Sequence, residues 1–329
     1  MQLPTQKRLM IFSGTANRPL AEEVATHLGM KLGLVEISTF SDSETYVRFS
    51  ESVRGCDAFV IQSMSAPVDH HVMEQLIMVD ALQRASAKRI TVVAPFYPYS
   101  RQDKKTRGRE PITAKLLADF YEAAGADRMV SVDLHTGQIQ GFFNIPFDHL
   151  TALPLLTEHF SQVLPDDFVI VSPDAGRVRL AEKWVQNLSE IYDLHGQVAF
   201  LHKRRRSDVR NVSETLAVVG DVDGKTCVVV DDMIDTGGTL VNGAEALAAS
   251  GAAEVYAAAT HPVLSDPATD RIKNSVISQV VVTNTLPIPS EKMLDKLTVV
   301  SIAPLIAQAI KAVFEEGSVS ELFHGDNQP

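Results

Sequence analysis

The sequence predicts an α/β protein built as two tandem, doubly wound parallel-sheet domains. Three observations carry that reading. At 329 residues the chain exceeds one usual hydrophobic core, so about two domains are expected. Short apolar runs alternate with amphipathic stretches along both halves, the pattern of strands joined by crossover helices. Residues 113–135 also align without a gap on residues 239–261, with six identities from an initial Thr to a final His, which suggests a duplicated unit.

In the first half, residues 8–14, 56–63, 89–96 and 129–134 are apolar runs of strand length, whereas 19–29, 69–86 and 111–125 repeat their apolar residues at helical spacing. The second half continues with strands at 167–172, 197–202, 226–232, 255–261 and 279–285 and helices at 177–190 and 239–250. The pattern loosens around residues 146–165. Domains at 1–150 and 151–320 are therefore expected, the last helix being a candidate to pack back on the first domain. Residues 321–329 form a polar tail whose end, HGDNQP, is expected to be disordered.

A formal charge of −11 argues against nucleic-acid binding. Yet ten of the thirty Lys and Arg residues fall in two short windows, 101–109 and 202–210, which make local positive wells on an acidic protein. No apolar run is long enough to cross a membrane, and the start MQLPTQKR lacks a signal-peptide core, so a cytoplasmic protein is expected. Cys56 and Cys227 are too few and too far apart for a disulfide framework and read as packing residues.

The most informative stretch is VVVDDMIDTGGTL, residues 228–240. Val228 to Val230 read as a strand covered on both faces, and Asp231 and Asp232 arrive where it should end. Asp235, Thr236, Gly237, Gly238 and Thr239 then turn the chain into a helix that Gly251 stops. Amides at the mouth of that helix favour an anion, and paired glycines let the backbone approach it. The two acids would accept hydrogen bonds from vicinal sugar hydroxyls, directly or through a metal ion. An Asp-capped turn is the plain alternative.

This stretch resembles the phosphoribosyl diphosphate motif of the type I phosphoribosyltransferase fold. Two further segments, PFYPYSRQDKKTRGREPITAKLLADF and SVDLHTGQIQGFFNIPFDHL, are similar to signatures of the ribose-phosphate diphosphokinase family, and the similarity runs over nearly the whole chain. The resemblance implies transfer of the β,γ-diphosphoryl group of ATP to the C1 hydroxyl of ribose 5-phosphate, with Mg²⁺ as cofactor. A phosphoribosyltransferase consuming the same activated sugar, and a noncatalytic homologue, are the rival readings.

Site residues follow from the resemblance. Arg101, Gln102 and Asp103 match a nucleotide-contacting segment. Asp133 and His135, at the end of a strand and on one side of it, match a magnesium-nucleotide segment whose later positions fall on Asn144 and Asp148. Asp174 and Gly176 match a pyrophosphate loop, with Asp174 also a metal candidate. There Arg177 stands where many members carry a second glycine. Lys203 and Arg205 match the Lys and Arg of a mobile catalytic loop. Residues 39–49 resemble a hairpin that reaches into a neighbouring subunit's ATP site, with Phe40 on adenine, Asp42 and Glu44 as acceptors, and Ser43 in place of a common Gly. A homo-oligomer with a shared active site, a hexamer in the family, is thereby implied.

Overall fold

A computed structural model describes residues 7–204 and 215–323. Arg205 and the tail residues 324–329, expected to be catalytic and disordered respectively, lie outside the described residues. The chain divides into two compact units. The first comprises residues 1–151, 285–287 and 301–329, and the second 152–284 and 288–300.

The first unit runs β1 (Leu9–Ser13), α1 (Arg18–His27), β2 (Val35–Thr39), β3 (Thr45–Phe49), β4 (Asp57–Ile61), α2 (Val68–Arg84), β5 (Arg89–Val93), α3 (Thr113–Ala124), β6 (Arg128–Val132) and β7 (Phe147–Leu150). Its five-stranded sheet has the order β1-β4-β5-β6-β7 and is parallel throughout. After β1 the chain goes out through α1 to the antiparallel β2–β3 hairpin and returns to β4 on β1. All five residues of β4 are buried, as a strand covered on both faces requires.

The second unit runs α4 (Leu153–Ser161), β8 (Phe168–Ser172), α5 (Val178–Tyr192), β9 (Gln197–Arg204), β10 (Thr215–Val219), β11 (Thr226–Ile234), α6 (Gly238–Ala249), β12 (Glu254–Pro262), α7 (Ala268–Lys273), β13 (Gln279–Thr283) and β14 (Leu297–Val300). The seven-stranded sheet has the order β10-β9-β8-β11-β12-β13-β14, with β10 alone antiparallel to its neighbour. Helix α5 buries Ala181, Trp184 and Leu188, spaced at three and four residues, and Trp184 meets Phe160 of α4 edge-on at 5.6 Å between centroids. The chain then rejoins the first unit as α8 (Ala303–Phe314), which packs against α1 and receives a hydrogen bond from Arg89 to the Val313 carbonyl at 3.1 Å.

From β1 to β7 and from β8 to β14 the elements follow one order: strand, helix, three strands, helix, strand, helix, two strands. This places α3–β6 opposite α7–β13, whereas the alignment of 113–135 on 239–261 sets α3–β6 against α6–β12. The sequence match is thus one strand-helix repeat out of register. Ala-rich helices inflate such identities, and the matched histidines differ in setting, since His261 lies within β12 and His135 beyond β6. Among the described residues no helix is long and apolar enough to cross a membrane.

Candidate active site

Sheet order reverses direction between β8 and β11, the place where open parallel sheets bind ligands. The two strands stop pairing at Val171–Val229, but β11 continues against β12 as far as Ile234–Pro262. Asp231 and Asp232 therefore do not end the strand, as the sequence suggests, but lie within it. They sit on the part of β11 that has outrun β8, so the β8-side edge is open to the loop 173–177.

Beyond Ile234 the chain turns through Asp235 and Thr236 to Gly237, which caps α6 in the left-handed conformation at φ +71°. A glycine is needed there because any Cβ would be strained. The cap has no side chain of its own to occupy the first amides of α6. Arg271 of α7 donates from Nη1 to the Thr236 carbonyl at 2.9 Å, and the Leu264 amide donates to the Ile234 carbonyl at 2.9 Å. Gly238 and Thr239 form the first turn of the helix.

The loop after β8 is organised by Asp174, whose Oδ1 accepts from the Gly176 amide at 2.7 Å and the Arg177 amide at 3.2 Å. Those bonds make a short 3₁₀ turn of residues 175–177 and lead into α5. Arg177 then reaches the acids. Its Nε lies 3.2 Å from Asp231 Oδ1 and its Nη2 2.9 Å from Asp232 Oδ1, with Asp232 only 5% exposed. Burial first, and the adjacent Asp232 charge second, push the Asp231 carboxyl above the ordinary carboxylate range, while Arg177 opposes both. Sequence reading noted Arg177 but not this pairing.

In the first unit, Arg101 and Gln102 are exposed between β5 and α3, and Gln102 accepts a hydrogen bond from Thr113. Asp103 is buried. Its Oδ2 accepts from Thr136 Oγ1 at 2.9 Å and from Gln138 Nε2 at 2.7 Å, which brings segment 101–103 to the loop carrying Asp133 and His135. That loop is braced from β7, where the Leu150 carbonyl accepts from the Asp133 amide and buried His149 Nε2 from the Leu134 amide, each at 2.9 Å. Asp133 has φ +37°. His149 escaped the sequence reading because β7 is only four residues long. Asn144 pairs with Glu122, and Asp148 with Arg128, so both are engaged in local bracing.

At the hairpin, Ser43 holds φ +77° and its amide donates to the Phe40 carbonyl at 2.9 Å. The Glu44 amide donates to Asp42 Oδ1 at 3.2 Å. Phe40 meets Tyr46 edge-on yet stays 56% exposed, so it is not a buried hairpin residue within this chain. Lys203 stands on β9 opposite Leu216 of β10, and its side chain, like all of Arg205, lies outside the described residues.

Among the described residues no three His, Cys, Asp or Glu side chains gather into a metal cage. Mg²⁺ seldom needs one, because it keeps several waters and binds through one or two carboxylates plus substrate phosphates. A carboxylate at Asp133 with His135 two residues on suits that kind of holding, whereas Asp174 Oδ1 is engaged by two amides.

A family model described as the N-terminal domain of ribose phosphate pyrophosphokinase matches residues 9–125, and one described as the phosphoribosyl synthetase-associated domain matches residues 206–324. The ribose-phosphate pyrophosphokinase of Streptomyces coelicolor is 56% identical over 319 residues, which cover 97% of each chain. That of Mycobacterium bovis is 55% identical over 322 residues, 98% of this chain and 97% of the relative. A crystal structure of phosphoribosylpyrophosphate synthetase from Mycobacterium smegmatis aligns with a TM-score of 0.89 at 54% identity, over 94% of this chain and 100% of that one.

Proposed function

The chain belongs to the ribose-phosphate pyrophosphokinase family, and from that premise we propose how its residues divide the work of the family reaction. The enzyme transfers the β,γ-diphosphoryl group of ATP to the C1 hydroxyl of ribose 5-phosphate. The products are AMP and 5-phosphoribosyl 1-diphosphate, an activated pentose for nucleotide, histidine and tryptophan biosynthesis. Its two units are tandem, doubly wound parallel-sheet domains of the type I phosphoribosyltransferase-like fold.

Ribose 5-phosphate is assigned to residues 231–239. The 5-phosphate sits on the amides of Gly237, Gly238 and Thr239 at the mouth of α6, with Asp235 and Thr236 shaping the approach. Asp231 and Asp232 accept from the ribose hydroxyls. The observation that carries this reading is the open edge of β11, where two acids precede a left-handed glycine that caps a helix with no side chain of its own.

ATP is assigned to Arg101, Gln102 and His135, with Phe40, Asp42 and Glu44 contributed by the hairpin of a second copy of the chain. Exposure of Phe40 supports that sharing. Asp103 serves the nucleotide by joining segment 101–103 to the His135 loop. Asp133 and His135 would hold Mg²⁺ with the triphosphate, and the pyrophosphate loop at Asp174 and Gly176 lines the path of the transferred group. When bound, the ion supplies positive charge to the phosphate oxygens. The C1 hydroxyl oxygen attacks the β-phosphorus in line, its proton passing to solvent, and AMP leaves, with Lys203 and Arg205 meeting the charge that develops. No side chain is required as a covalent nucleophile. The family resemblance supports a cytoplasmic enzyme and a homohexamer.

The test is product analysis with ATP, ribose 5-phosphate and Mg²⁺. AMP and 5-phosphoribosyl 1-diphosphate in equal amounts are expected, and ADP as the nucleotide product would contradict the reading.

A further inference from the structure

Arg177 occupies a position at which the resembled pyrophosphate loop often has glycine, and it does more than fill space. Its backbone is pinned by Asp174, and its side chain forks onto Asp231 and Asp232 at 3.2 and 2.9 Å. A planar fork with both carboxylates fixes where their remaining lone pairs point. Consecutive residues of a strand ordinarily aim at opposite faces, so two neighbouring acids do not converge unless something draws them together. Here Asp231 Oδ1 is held by the Asp232 amide at 2.9 Å, and the guanidinium is the common side-chain partner that ties it to Asp232 Oδ1, reached across the edge of β11 that β8 leaves open.

We propose that Arg177 is a specificity-determining positioning residue, which aligns Asp231 and Asp232 as a matched pair of acceptors for the vicinal diol of a pentose 5-phosphate. The inference rests on the assignment of the sugar to residues 231–239 and adds to it a residue outside that segment. With both acids aligned, a sugar lacking one hydroxyl leaves one acceptor unmatched, and sites built to hydrogen-bond a hydroxyl reject analogues without it strongly. Without Arg177 the two acids lose the side-chain partner they share, although Asp231 Oδ1 keeps the Asp232 amide, so the pair is less sharply aligned and the missing hydroxyl matters less.

The experiment measures kcat and KM for ribose 5-phosphate, 2-deoxyribose 5-phosphate and ATP in the full-length enzyme and in Arg177→Ala, Arg177→Gln, Arg177→Lys and Asp232→Asn. Thermal unfolding is followed alongside. Removing the guanidinium is expected to raise the KM for ribose 5-phosphate about tenfold, the scale of a lost charge-assisted hydrogen bond. The preference for ribose over deoxyribose should fall by a similar factor with the KM for ATP unchanged, and the melting temperature should drop because the buried Asp232 carboxylate loses its guanidinium. Lysine should restore part of the effect, because a point charge meets the acids without forking. The glutamine variant keeps the side chain's bulk, so it separates charge from packing if alanine does not fold. An unchanged ribose preference in Arg177→Ala and Arg177→Gln, or a parallel rise in the KM values for ribose 5-phosphate and ATP, would overturn the proposal. A raised KM in Asp232→Asn with silent Arg177 variants would overturn it alone. An Asp232→Asn enzyme with unaltered KM for ribose 5-phosphate would remove the sugar-site assignment itself.

Discussion

Asp103 Oδ2 accepts a hydrogen bond from Thr136 Oγ1 at 2.9 Å, and Asp103 is only 7% exposed. One buried carboxylate thus ties the segment of Arg101 and Gln102 to the loop of Asp133 and His135. Replacing it with alanine leaves the Thr136 and Gln138 donors without this acceptor, at a cost of about 1–3 kcal/mol. Asp103→Ala is expected to raise the KM for ATP by about tenfold or more while leaving that for ribose 5-phosphate unchanged. Steady-state kinetics with each substrate varied in turn would show it, and a change confined to ribose 5-phosphate would refute it.

Gly237→Ala should affect the other substrate. A Cβ there would sit 3.4 Å from the Ala268 Cα, an ordinary contact, so crowding is not the obstacle. The obstacle is φ +71°, which costs a residue with a Cβ about 1–2 kcal/mol. The variant is expected to melt a few degrees lower, about 2–4 °C per kcal/mol in a chain of this size, and to bind ribose 5-phosphate more weakly. Calorimetry and substrate titration check both.

The acid pair sets a pH dependence whose sign follows from its environment. In the fold, burial and then Asp232 raise the Asp231 carboxyl above its usual range, so the native state retains a proton that the unfolded chain has lost. Stability therefore falls as pH rises from the unfolded pKa through the raised native one. Binding of sugar hydroxyls needs the ionised acceptors, so kcat/KM for ribose 5-phosphate should rise over that window. Asp231→Asn is expected to lower activity and to abolish this limb in a pH–rate profile.

Ser43 holds a left-handed turn at φ +77°. Glycine would relieve about 1–2 kcal/mol of backbone strain, offset by about 0.5–1 kcal/mol of extra chain entropy. Ser43→Gly should therefore stabilise the hairpin slightly and slow exchange of the Phe40 amide, which donates to the Glu44 carbonyl at 2.8 Å. Hydrogen exchange followed by NMR measures that protection.

Much of the sugar site is legible in the sequence because its parts are consecutive: an apolar strand, two acids, a glycine turn and a helix lie within residues 228–249. The alternating strands and helices are legible for the same reason, since each carries its own period. What escaped depends on contacts distant in the chain. Arg177 meets Asp231 only because β8 and β11 are neighbours and β8 stops first. Asp103 looks like a surface acid beside Lys104 and Lys105 until Thr136 and Gln138 close over it. The strands β7 and β14 have four residues each, too few to show a period, and β7 carries Asp148 and His149. The repeat was visible, but its register was not, because alanine-rich helices match one another regardless of position.

A crystal structure of the enzyme with ribose 5-phosphate addresses the sugar assignment most directly. The expected result is the 5-phosphate on the amides of Gly237, Gly238 and Thr239 with the vicinal hydroxyls at Asp231 and Asp232. Sugar bound elsewhere, with the mouth of α6 open and empty, would contradict it.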